Sequence, residues 1–292
     1  MQWRPRAKSD DPPKLRTPGP IVVGTAGGAE SLDAVDWAAA EAATTHRSLR
    51  IVHAFLNSMS TGLAGGYAIG DVDVAVREAG NSILERAVQR ARTVAADLEI
   101  TTHLVAGGAS PAMLDKARDA QLLVVGSRGR SGMRRLLLGS VSTRVAGHSR
   151  RPTVVVHSLQ NNPRGPSKAR VVVGIDAARS SPLAIDFALR AAAQRGISLT
   201  VVSTSISSGR EPRVPTPILK QLIVNRTGPL RDVAVDFKIV DEVPERALVA
   251  ESAGAALVVI GTRSRKGLLC DSVSHTILQH ALCPVAVIPS RQ

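Results

Sequence analysis

The sequence predicts an α/β protein made of two tandem, doubly wound, parallel five-stranded sheets. Three observations lead there. Short β-branched runs alternate with longer stretches of 3.6-residue periodicity, the chain repeats itself once on a large scale, and its 292 residues suffice for two domains of ordinary size. In the repeat, IVVGT at Ile21–Thr25 is matched by VVVGID at Val171–Asp176, and LLVVGSR at Leu122–Arg128 by LVVIGTR at Leu257–Arg263. SVSTRVAGHSRRPTVVV, Ser140–Val156, returns as SVSHTILQHALCPVAVI, Ser272–Ile288. The expected organisation is a disordered basic tail at 1–19, a first domain at 20–158, a linker at 159–169 and a second, degenerate domain at 170–292.

Strands of the first half are expected at 20–25, 49–54, 100–105, 121–126 and 153–157, each a run of β-branched and apolar residues bounded by loop-forming ones. Between them the periodicity turns helical. The clearest helix is expected at Arg77–Asp97, where Leu84, Ala87, Val88, Ala91, Val94, Ala95 and Leu98 fall on one face. Helix N-caps are expected near Ser31 and at Ser181, the latter followed by Pro182 at the first helical position. The second half repeats the plan at 170–175, 198–203, 235–240, 256–261 and 285–288, with a shorter middle helix around Ile218–Arg226. Right-handed crossovers between parallel strands then leave the doubly wound sheet, whose ligands bind at the carboxyl ends of the strands. The last strands, Thr153–His157 and Val285–Pro289, are the apolar edges that a repeated unit would pair, which makes the halves a pseudo-dimer; a homodimer is a further possibility.

Composition excludes several classes. The longest run without a polar side chain, Ala253–Gly261, is nine residues, against the roughly 20 that cross a bilayer. The basic N-terminal stretch has no apolar segment behind it, so no secretory signal is read and the expected location is cytoplasmic. Cys270 and Cys283 are too few for a disulfide framework and lack metal-ligand spacing. The net charge of +13 invites a nucleic-acid reading, but five of the cations (Arg4, Arg6, Lys8, Lys14, Arg16) sit in the Pro-rich tail. With two Trp, one Tyr and three Phe there is no stacking platform for single-stranded bases, which argues against nucleic acid. A small phosphorylated ligand and a solvated basic face account for the charge as well.

The stretch VGSRGRSGMRRLLLGSVS, Val125–Ser142, lies where a ligand is expected, directly after a buried strand. Gly126, Gly129 and Gly139 would let backbone amides approach an anion, while the helix opening at Ser140 offers orphan N–H groups and the positive end of a dipole. The arginines at 128, 130, 134 and 135 either clamp phosphates or solvate an exposed loop. No Walker-type loop and no nucleophile, base and acid set is apparent, so an enzyme is not the first expectation; a slow nucleotide hydrolase is kept as an alternative. His148 and His280 occupy matching positions in the repeat and read as partly exposed helix residues.

The pattern Gly126-x2-Gly129-x9-Gly139-Ser140, with VVG before it and SVS after it, resembles the universal stress protein family in its tandem form, over roughly residues 20–292. The resemblance implies an adenine-nucleotide-binding fold of the adenine nucleotide alpha hydrolase-like, Rossmann-like kind, frequent dimerisation through the last strand, and a stress-response role. It implies ATP, accompanied or not by Mg2+, held by Thr25, Ala26, Gly126, Arg128, Gly129, Gly139, Ser140, Val141 and Ser142, with Asp176 and Gly261 as second-half counterparts. ATP-binding members carry an Asp after the first strand; here Ala26 stands in its place, whereas Asp176 is present in the second half. There the phosphate loop has decayed instead: Ser264 and Asp271 replace the second and third glycines and the loop is shorter. An anionic Asp271 favours a helix N-terminus but repels phosphate, so the first half is expected to bind ATP weakly to moderately and the second little or none. Val52–Ala54 could line a base pocket, Gly27 and Gly28 could let the first loop close, and Asn57–Ile69 is either a lid or a surface loop. A scaffold with both sites decayed is the alternative from another class.

Overall fold

A computed structural model describes residues 19–56, 69–127, 138–157, 170–175, 182–204, 232–262 and 272–290. The tail, the linker, the Asn57–Ala68 part of the expected lid, the helix expected at Ile218–Arg226, and Ser181 lie outside them. In chain order the elements are β1 (Ile21–Gly24), α1 (Ala29–Thr44), β2 (Leu49–Phe55), α2 (Ile69–Val94), β3 (Ile100–Ala106), α3 (Ala109–Lys116), β4 (Leu122–Gly126), α4 (Ser140–His148) and β5 (Thr153–Val156). The second half follows with β6 (Arg170–Ile175), α5 (Pro182–Arg195), β7 (Ser198–Thr204), β8 (Val235–Val240), α6 (Pro244–Ser252), β9 (Leu257–Gly261), α7 (Ser272–His280) and β10 (Val285–Ile288). Each expected strand forms, within two residues of its expected ends. Two helix expectations are corrected. The long helix begins at Ile69, eight residues ahead of Arg77, and the first helix is capped by Gly28 rather than near Ser31, which lies inside the first turn.

All strands join one ten-stranded sheet in the order β3-β2-β1-β4-β5-β10-β9-β6-β7-β8. Every neighbour is parallel except the central pair, where Val285, Ala286 and Val287 run antiparallel to Val155, Val154 and Thr153. The last strands of the repeats are therefore paired within the chain. Alternate strand residues feed opposite faces: Val23, Val154 and Val156 face α1, α2 and α5, while Val22 and Val155 face α3, α4, α6 and α7. Alanines at 34, 38, 39 and 42 bring α1 close to the sheet, which a bulkier face would prevent.

The halves also meet through α1 and α5. Arg195 donates to the Glu41 carboxylate and lies 5.8 Å over the Trp37 ring. Glu41 is almost fully buried, so this ion pair is largely shielded from water. The turns after α1 and α5 match: Arg47 N–H donates to Ala42 O at 2.9 Å, Ile197 N–H to Ala192 O at 3.1 Å, and each turn needs one left-handed residue. The second half uses Gly196 (φ +61°); the first uses His46 (φ +52°). Burial pushes the free Cys283 thiol up to about 12; Cys270 lies outside the described residues. Among the described residues no helix is long and apolar enough to cross a membrane.

Replacing Arg195 by Ala is expected to destabilise the chain by about 2–3 kcal/mol in urea unfolding, because it leaves Glu41 buried without a counter-charge. His46→Gly should raise stability by up to about 1 kcal/mol, because glycine carries no Cβ to crowd the left-handed backbone there. Cys283 should resist alkylation at pH 8 in the native chain and react fully on denaturation, as a buried thiol holding its proton requires.

Candidate functional site

The first half changes direction between β1 and β4: from β1 the sheet grows through β2 and β3 on one side and through β4 and β5 on the other. Loops leaving adjacent strands diverge at such a point and open a crevice at their carboxyl ends. The glycine loop leaves β4 there. Ser127 N–H donates to Val156 O at 2.7 Å and Gly139 N–H to Ser127 O at 2.8 Å, so the two ends of the loop are tied together. The Ser142 hydroxyl donates to Gly126 O at 2.6 Å, fastening the first turn of α4 to the end of β4.

These bonds sort the expected ligand groups. Gly126 lies within β4 opposite Val156, and a Cβ on it would meet the Glu30 carbonyl oxygen at 2.8 Å. Its lack of a side chain therefore admits the first turn of α1. Gly139 is the N-cap of α4, without any side-chain cap, and its own N–H is engaged. Ser142 is buried with its hydroxyl engaged. The expected cup is thus partly built into the fold. What is left for an anion is the helix end itself. The N–H groups of Ser140, Val141 and Ser142 have no carbonyl partner among the described residues, and the Ser140 side chain is exposed. Arg128 and Gly129 lie outside the described residues, as do Arg130, Arg134 and Arg135.

The loop after β1 closes upon itself. Thr25 Oγ1 accepts the Gly27 N–H at 3.2 Å and lies 3.3 Å from Ser31 Oγ, which accepts the Ala26 N–H at 3.2 Å and donates to Gly28 O at 2.8 Å. His53, buried on β2, donates from Nδ1 to Thr25 O at 2.8 Å. Ala26 brings a half-buried methyl where the resemblance asks for a carboxylate. Gly27 takes φ +79°, and a Cβ there would lie 3.0 Å from Ile83 and 3.3 Å from Arg86 Nη2. Arg86 is the residue here that sequence reasoning passed over; Ser31 was expected as a helix cap and His53 as part of the Val52–Ala54 lining, neither for these bonds. His53 had a signal of its own, as the sole polar residue in the run IVHAF.

In the second half Gly261 pairs with Ile288, and Thr262 N–H donates to Ile288 O at 2.9 Å, the counterpart of Ser127 and Val156. Asp176 and Asp271 lie outside the described residues. Because β5 and β10 run antiparallel, the carboxyl ends of the two half-sheets point in opposite directions, and one ligand cannot touch both. His148 and His280 are exposed at the last turns of α4 and α7, as expected of helix residues. In α4 that puts His148 about 12 Å along the axis from Ser140.

The class the fold defines is a tandem pair of doubly wound α/β half-sheets, each with a loop leaving the carboxyl end of its fourth strand. The chain belongs to the universal stress protein family, whose pattern matches residues 18–157 and again 169–289. It is 30% identical over 291 residues to a universal stress protein of Mycolicibacterium smegmatis, covering 93% of this chain and 97% of the relative. A universal stress protein of Mycobacterium tuberculosis is 33% identical over 283 residues, covering 91% and 96%. A crystal structure of a universal stress protein from Archaeoglobus fulgidus shares the fold, with a TM-score of 0.72 at 17% identity over 94% of this chain and 99% of that one.

Gly126→Ala is expected to cost about 1–3 kcal/mol in chemical denaturation, since a backbone carbonyl must retreat to admit the methyl group. Ser142→Ala should cost about 1 kcal/mol through the lost bond to Gly126 O.

Proposed function

We propose that the chain is a non-enzymatic stress-response regulator whose first half binds ATP, weakly to moderately, with the phosphates on the amino end of α4. The observation that carries this reading is the set of orphan N–H groups at Ser140, Val141 and Ser142, placed at the switch point between β1 and β4. Three converging amides and a helix dipole favour an anionic group without needing a side-chain charge. The nucleoside would extend from there across the end of β1 towards β2. Residues 128 and 129 would complete the phosphate grip. Mg2+, where it accompanies the ATP, would enter as part of the nucleotide complex.

The second half contributes structure in this reading, and occupancy of the first half alters the association of the protein with its partners. A scaffold reading draws on a specific observation too: Gly126, Gly139 and Ser142 all have tasks within the fold, so their presence does not by itself require a ligand.

Calorimetric titration of the full chain is expected to give one ATP per chain. Ser140→Glu should weaken ATP at least tenfold, because the new carboxylate occupies the positive helix end where the phosphates sit. A stoichiometry of two, or a Ser140→Glu chain that binds ATP as well as the parent, would remove the assignment to α4.

A further inference from the structure

Taking the nucleotide reading above as its basis, we infer that the first-half site is shaped for a nucleotide carrying a second anionic group on its ribose, a 2′- or 3′-phosphate. A ligand seated on α4 with its base towards β2 must pass the end of β1, since β1 lies between β4 and β2 in the sheet. Its sugar therefore meets residues 25–27. A strand end that reads sugar hydroxyls does so with a carboxylate, and one that takes a sugar phosphate replaces the carboxylate and brings up an arginine.

The loop after β1 has the second arrangement. Residue 26 is Ala, and the side-chain hydroxyls of Thr25 and Ser31 are buried and engaged within the loop. None of them is placed to accept a bond from a ribose hydroxyl. Arg86 of α2 comes in from the other side, its Nη2 at 3.3 Å from the Cβ position of Gly27. Gly27 is left-handed, so no side chain stands between the guanidinium and the loop. Of the other α2 arginines, Arg90 forms a bidentate pair with Asp36 and Arg77 lies 5.5 Å over the Phe55 ring. Among the described residues no carboxylate pairs with Arg86, whose side chain is exposed. A guanidinium with five donors and no counter-ion suits a phosphate far better than a neutral hydroxyl.

The test titrates the full chain with ADP, adenosine 2′,5′-bisphosphate and adenosine 3′,5′-bisphosphate. All three carry two phosphates, so a preference reports where the second one sits. At least one bisphosphate is expected to bind fivefold or more tighter than ADP, and the two arms tell the 2′ from the 3′ position. Arg86→Gln should bring that bisphosphate back to the affinity of ADP, and Ala26→Asp should weaken it below ADP. The inference is overturned if ADP binds as tightly as both bisphosphates, or if the preference survives Arg86→Gln. Absence of binding by all three ligands, with ATP also failing to bind, would instead dispose of the nucleotide reading beneath it.

Discussion

The antiparallel pairing of β5 with β10 is the constraint on which the rest of the molecule depends. Three residue pairs, all buried, turn two five-stranded sheets into one of ten strands. A parallel sheet leaves its last strand with a row of unpaired backbone groups, and a repeat can satisfy that row with its own copy. The seam makes the two helix layers continuous as well: one face carries α1, α2 and α5, the other α3, α4, α6 and α7. With both last strands paired inside the chain, a second copy of the protein would have to meet a different surface.

Much of this was legible in the sequence, for a physical reason. Strands such as Leu122–Gly126 and Leu257–Gly261 are flanked on both faces by helices, so their residues form unbroken apolar runs rich in Val, Leu and Ile, and both elements and pairing partners stand out. The opening of α2 was not legible, because Ile69–Val76 combines glycine, aspartate and valine in proportions that local propensity does not favour in a helix. The cap of α1 was misplaced because Ser31, a strong capping residue by type, uses its hydroxyl on the loop behind it, from within the first turn.

The glycines were harder to read than the strands. Gly24 and Gly174 belong to the matching VVG runs, and a Cβ on either would strike a side chain from the helix that covers it, Met113 in one half and Leu248 in the other. Gly126 plays a similar part toward the first turn of α1. A glycine in a strand–loop–helix motif can thus admit either a ligand or a neighbouring element, and spacing alone does not separate the two. Ser31, His53 and Arg86 raise the same difficulty from the other direction. They come from three elements and meet only after folding, so no spacing in the sequence announces them.

The divergence of the two halves follows from the geometry of the seam. Since the carboxyl ends of the half-sheets point opposite ways, the loop after β4 and the loop after β9 share no residue and no ligand. The bonds that hold the seam come from β5 and β10, and the contact between α1 and α5 comes from Trp37, Glu41 and Arg195, all outside the glycine loops. Changes in the second loop therefore leave the first half intact so long as β10 still seals β5. Conversely, the second half cannot be dispensed with when its own loop decays, because without it β5 becomes an open edge and Glu41 loses the partner of its buried charge. A tandem chain of this design can let one half lose its ligand loop and keep the fold of both.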